Sequence, residues 1–162
     1  GARVLSRDAL EYLQDNLRIL SGFYGILKPL DGVVPYRLEM QSKFINYKNK
    51  DLYEYWADKI ANSLFEETNL IINLASKEYS KCVEKYLKNS PGTKFITCVF
   101  GEINGDKVIE KGTLAKMARG EMVRYLAQNN VYDLEGLKRF DKLGYKYSQE
   151  KSNENTFVFI KY

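Results

Sequence analysis

Residues 93–112, TKFITCVFGEINGDKVIEKG, alternate with period two on both sides of Asn104-Gly105. Period two marks a strand with one buried face, and Asn-Gly favours the positive φ angles of a two-residue hairpin turn. The stretch reads as a β-hairpin. Upstream, LIINLAS (70–76) is a short apolar run rich in β-branched residues that ends at Ser76, a cap for a helix through KEYSKCVEKYL. Downstream a long helix is expected from Thr113 to about Asn129, and a short one after an Asp133 cap. The closing GYKYSQEKSNENTFVFIKY holds two β-rich runs around a polar turn.

Nearer the start, Leu10, Leu13, Leu17, Leu20 and Tyr24 recur at three- and four-residue spacing behind a Ser6 cap, which predicts one helix stopping at Gly22 or Gly25. Pro29 and Pro35 then exclude a helix or central strand, so residues 25–37 are expected to be an ordered loop. A further helix is expected from Asp51, with Leu52, Tyr55, Trp56, Ile60, Leu64 and Phe65 on one face. Strand–helix units interleaved with hairpins argue for a mixed α/β fold, a central mixed sheet flanked by helices. The length of 162 residues, with no linker or repeat, suits a single domain over 1–162.

Composition narrows the chemistry. There is no histidine, which removes Ser-His-Asp and Cys-His catalysis and imidazole metal ligands. Cys82 and Cys98 form no C-x-x-C and read as small buried hydrophobes, so no metal site and no cofactor are expected. The net charge of +4 suits a polyanion only if the basic residues gather on one face. No apolar run approaches a membrane span and GARVLSRDAL lacks a signal-peptide core, so no membrane partner and a cytoplasmic location are expected.

Three groups of residues stand out. On the helix TLAKMARGEMVRYLAQNN, Lys116, Arg119, Gly120, Val123 and Arg124 share a basic face, and arginine suits bidentate contact with phosphate. Gly120 costs about 1 kcal/mol against alanine inside a helix, so something approaches it closely, either a ligand or another helix. Arg37 and Glu39 lie two apart and point the same way if the chain is extended there, with Lys28 in reach; Arg37 either meets a ligand or anchors the loop. Asn73, Ser76 and Glu78 stand at the end of a predicted strand, a favoured place for sites in α/β sheets, though Ser76 also serves as a cap. No phosphate-binding glycine fingerprint is present.

The motifs LRILSGFYGILKPLDGVVPYRLEM (17–40), DLYEYWADKI (51–60), INLASKEY (72–79) and KMARGEMVRY (116–125), with GLKRFDKLGYKY and FVFIKY, resemble the bacterial YaaA family of peroxide-stress proteins. The resemblance implies a cytoplasmic protein that limits iron-linked peroxide damage and binds double-stranded DNA through a basic cleft. Its motifs place Lys28, Tyr36, Arg37, Lys116, Arg119 and Arg124 as DNA or phosphate contacts, and Glu39, Asn73, Ser76, Glu78 and Gly120 as site-shaping or acid/base residues. It also implies that the chain is the C-terminal portion of a longer protein, its sheet incomplete without the family's N-terminal part, and that Gly136 and Gly144 in LEGLKRFDKLGY make a poor helix-hairpin-helix. The alternative is an enzyme acting on a nucleobase or nucleotide, with arginine and lysine on phosphate and Glu39 or Glu78 as acid or base. Catalytic residues and oligomeric state are left open. The family's biology also brings a peroxide-sensing Cys82 or Cys98 into question, which requires an exposed thiolate.

Overall fold

The computed structural model describes residues 4–43 and 49–162. The chain divides into two compact units, one of residues 14–95 and one of residues 96–162 together with the first thirteen. By hydrogen bonding, the main strands run in the order β3-β4-β7-β6, with β5 also paired to β4. These are β3 (Leu70–Asn73), β4 (Lys94–Asn104), β5 (Lys107–Ile109), β6 (Tyr145–Ser148) and β7 (Thr156–Lys161). The sheet is mixed, as expected: β4 and β7 are parallel, while β6/β7 and β4/β5 are antiparallel.

In the unit completed by residues 96–162, the β4/β7 register sets Phe100 beside Phe159, and their rings stack 5.1 Å apart at 17°. Phe140 and Tyr145 meet Phe100 edge-on at 5.9 and 5.6 Å, the offset geometry that aromatic quadrupoles prefer. Helix α5 (Gly112–Gln128) buries Ala115, Ala118, Met122 and Ala127, so small side chains let it approach its support closely. Asp133 caps α6 (Leu134–Lys138) by accepting from the Gly136 N–H at 2.5 Å. At the start of the chain, Ser6 Oγ accepts from Ala9 N–H at 3.2 Å and caps α1 (Arg7–Asn16). Tyr12 of α1 donates its hydroxyl to the Val131 carbonyl.

The first helix is shorter than its apolar stripe suggests. It stops at Asn16, and Ile19–Ser21 (β1) pairs antiparallel with Gly25–Leu27 (β2). Leu17, Leu20 and Tyr24 therefore continue the spacing of a helix but belong to a hairpin, and the loop expected from residue 25 begins only after Leu27. Gly25 is required in this hairpin: its φ is +76°, and a Cβ there would lie 2.9 Å from the Trp56 ring. Trp56 in turn donates its Nε1–H to the Gly22 carbonyl at 2.9 Å.

The helix expected from Asp51 is present but divided. Asp51 accepts from Glu54 N–H at 2.9 Å and starts α2 (Leu52–Trp56); Ala57, at φ 46°, breaks it before α3 (Lys59–Glu67). With α4 (Lys77–Glu84), these elements cover a core of Met40, Leu52, Ile60, Ala61, Leu64, Cys82, Val83 and Phe95. The hairpin turn is also one residue later than its signal. Asn104 pairs with Lys107, so Gly105 and Asp106 form the loop, with Gly105 at φ +61°.

Gly25→Ala combines an unfavourable φ with overpacking against Trp56, and is expected to cost about 2–3 kcal/mol. Gly32→Ala, where a Cβ would meet nothing within 4 Å, is expected to be neutral or slightly stabilising. Urea midpoints of the two variants measure the difference, and equal midpoints would show that the hairpin does not depend on Gly25.

Candidate functional site

The SGFYG and PYRLEM segments are held together by one buried hydroxyl. Ser21 Oγ accepts from the Phe23 N–H at 3.2 Å and the Tyr24 N–H at 2.9 Å, and it shares a 2.5 Å hydrogen bond with the Tyr36 hydroxyl. Tyr24 adds a second tie, its hydroxyl accepting from the Val34 N–H at 3.0 Å. Phe23 and Tyr36 stack with centroids 5.3 Å apart at 30°, and Tyr24 meets both rings edge-on at 4.8 and 5.5 Å. Residues 28–39 carry no helix or strand, yet these contacts fix their path.

Beyond Tyr36 the chain alternates. Leu38 and Met40 turn into the core while Arg37 and Glu39 face solvent, the two-residue spacing of extended backbone. Arg37 is exposed, with no hydrogen bond or ion pair to another of the described residues. Lys28 uses its backbone N–H, which donates to Asp31 Oδ2 at 2.8 Å, and leaves its ammonium free among the described residues.

Tyr79 is where this segment meets the strand-end residues. Burial, then the charge of Glu78, push its phenol above its ordinary value, and Tyr36 and Glu39 act in the same direction while a backbone hydrogen bond at Met40 opposes them. The bond to the Met40 backbone ties the end of this segment to α4. Glu78 also holds neighbouring chain: its carboxylate accepts from Gln41 N–H at 3.2 Å and its carbonyl from the Tyr53 hydroxyl at 2.9 Å. Asn73 is buried and turns the chain out of β3, its Oδ1 accepting from Ala75 N–H at 3.0 Å. Ser76 stands at the N-cap of α4, but its hydroxyl makes no capping bond; its carbonyl accepts from Tyr79 and Ser80 N–H instead.

The other unit holds the basic helix. Lys116 and Gly120 are exposed and Arg124 is half-buried on α5, and neither cation has a carboxylate partner among the described residues. Arg119 is folded back: its guanidinium reaches Glu110 Oε1 at 3.1 Å, its side chain is 23% exposed, and its Nε is buried without a partner. A Cβ on Gly120 would meet nothing within 4 Å, so no helix packs on it among the described residues. Each unit carries the same modest excess of positive charge, twelve basic against ten acidic residues in 14–95 and thirteen against eleven in the remainder. Local placement, not net charge, distinguishes the α5 face.

The family model for peroxide stress protein YaaA matches residues 1–151. The chain belongs to the YaaA family. It is 58% identical over 158 residues to a UPF0246 protein of Lachnoclostridium phytofermentans, covering 98% of this chain and 61% of that relative. UPF0246 proteins of Desulfitobacterium hafniense and Agathobacter rectalis are 54% and 53% identical over 159 and 156 residues. Those matches take in 98% and 96% of this chain, and 62% of each relative. The chain spans about three-fifths of the length of these YaaA-related proteins.

Neither cysteine of this YaaA chain has the surroundings of a peroxide sensor. Both are buried, and burial pushes the Cys82 thiol to about 11 and the Cys98 thiol to about 12, the charge of Arg119 opposing the second shift. A sensing cysteine needs an accessible thiolate. Among the described residues no group of three or more acidic, cysteine or histidine side chains is placed to hold a metal, and no helix is long and apolar enough to cross a membrane. The Ser21 node, Phe23, Tyr24 and Tyr79 were not singled out from the sequence. Their only signal there is one tyrosine each in the SGFYG and SKEY motifs, among thirteen tyrosines in the chain.

Iodoacetamide is expected to leave both thiols of the folded protein unmodified at pH 8 and to label them after unfolding, with or without prior peroxide treatment. Rapid labelling of native Cys82 would contradict the burial argument. An unfolded thiol ionises near 9 while the folded ones hold their protons to about 11 and 12. The unfolded chain thus binds fewer protons in this window, and stability falls as pH rises from 9 to 11. Urea midpoints across that range read the decline.

Proposed function

We propose that this YaaA-family chain binds double-stranded DNA through the outer side of α5, and that it serves a peroxide-stress protein that limits iron-linked damage. The observation that carries the reading is the line Lys116, Gly120, Arg124 at i, i+4 and i+8. Two cations without carboxylate partners flank a glycine whose surroundings are open. At 1.5 Å per residue the two lie about 12 Å apart along the axis, and between them a Cβ on Gly120 would meet no atom within 4 Å, which leaves room for close approach of a phosphate backbone. Arg119 is tied to Glu110, which offsets its charge, so it would contact phosphate only by leaving that pair. In the other unit Arg37 and Lys28 offer further phosphate contacts, with Tyr36 beside them. The family supplies the peroxide setting.

Binding of this kind draws on counterion release, so affinity falls steeply with salt and depends little on sequence. Fluorescence anisotropy of a labelled duplex over a salt series tests it. Lys116→Glu and Arg124→Glu are each expected to weaken binding across all duplex sequences and to lower the slope of log K against log salt by about 1. A slope unchanged in both variants would remove α5 as the contact face. Gly120→Ala is expected to raise stability by about 0.5–1 kcal/mol, since the Cβ meets open space inside a helix, while lowering DNA affinity by narrowing that approach.

A further inference from the structure

We propose that Phe23 and Tyr36 form a stacking platform for one unpaired nucleobase, a binding site separate from the backbone contacts of α5. The inference rests on the nucleic-acid reading above and names what the unit of residues 14–95 adds to it. Phe23 and Tyr36 remain 53% and 41% exposed although their rings are stacked on each other. An exposed aromatic pair is ordinarily free to change rotamer; this one is braced. Tyr36 is bonded through its hydroxyl to Ser21, which is itself fully buried and holds the Phe23 and Tyr24 N–H groups. Tyr24 packs edge-on against both rings and is tied to Val34.

A flat, rigid π-surface open to solvent suits a planar partner, because its ordering cost has been met in the fold. The charge nearby selects which planar partner. Arg37 follows Tyr36 in the chain, and Arg37 and Lys28 are both exposed without a carboxylate partner among the described residues. A base carries its own phosphates, and a ring platform flanked by free cations is the combination by which single strands are bound: stacking on the base, charge on the backbone. Glu39, exposed and three residues beyond Tyr36, offers a carboxylate acceptor to the amino edge of a base.

The test compares a fluorescein-labelled single strand of about twelve nucleotides with a labelled duplex of the same length. Phe23→Ala and Phe23→Leu are expected to weaken single-strand binding about tenfold and to leave duplex binding within twofold of the parent; the leucine variant keeps apolar bulk on Tyr36 but removes the flat face. Phe23→Trp is expected to retain binding, with its added indole fluorescence quenched when the single strand is titrated in. Thermal melts of all three variants control for folding. If duplex binding persists while Phe23→Ala and Phe23→Leu hold the single strand as tightly as the parent, the platform is overturned and the DNA reading stands. If the parent binds neither oligonucleotide, the DNA reading itself is lost and the platform with it.

Discussion

The parallel pairing of β4 with β7 is the constraint on which residues 96–162 depend. Parallel neighbours cannot be joined by a tight turn, so the chain between Gly101 and Thr156 must leave the sheet and return. That excursion supplies β5, α5, α6 and β6 in succession. The register is fixed by shape, because only with Phe100 opposite Phe159 do their rings stack while Phe140 and Tyr145 close around them. A slip of one residue would turn Phe100 to the opposite face and empty the cluster. The basic helix is thus presented by a core whose specification is aromatic.

Much of this fold was legible because its strongest signals are local. The hairpin around residue 105, the helix over 112–128 and the Asp51 and Asp133 caps rest on neighbouring residues, and the structure has them within a residue or so, while the apolar run read as a strand over 70–76 is a strand only over 70–73. Errors arose where a local pattern served two periods. Leu17, Leu20 and Tyr24 continue a helical stripe, but the pairing of Ile19 with Leu27 captures the segment as a strand. The break at Ala57 could not be read from its surroundings, since alanine there gives no helix-stop signal.

The candidate sites divide in the same way. Arg37 and Glu39 point outward together because Leu38 and Met40 go inward, a consequence of spacing alone. The bond between Tyr79 and the Met40 backbone, and the one from the Gln41 N–H to Glu78, depend on tertiary folding between distant segments, and no short motif announces them. The tie between Arg119 and Glu110 is likewise invisible to a helical-wheel reading, which assigns faces but not partners from outside the helix. A chain without histidine uses tyrosine hydroxyls for much of this stitching: Tyr12, Tyr24, Tyr53 and Tyr125 each hold a backbone group, and Tyr36 holds Ser21.

The burial of the cysteines extends to nearly all of the chain's sulfur. Of the three methionines, Met40 and Met122 are fully enclosed with Cys82 and Cys98, and only Met117 is open to solvent. Converting a buried thioether to a sulfoxide would place a polar oxygen in a packed interior and disrupt it, whereas the same change at Met117 occurs in water and displaces nothing. The architecture therefore confines the easiest oxidative lesion to a single surface position. Within this chain the packed interior keeps its sulfur out of water, and the one exposed thioether lies where its oxidation would disturb little packing.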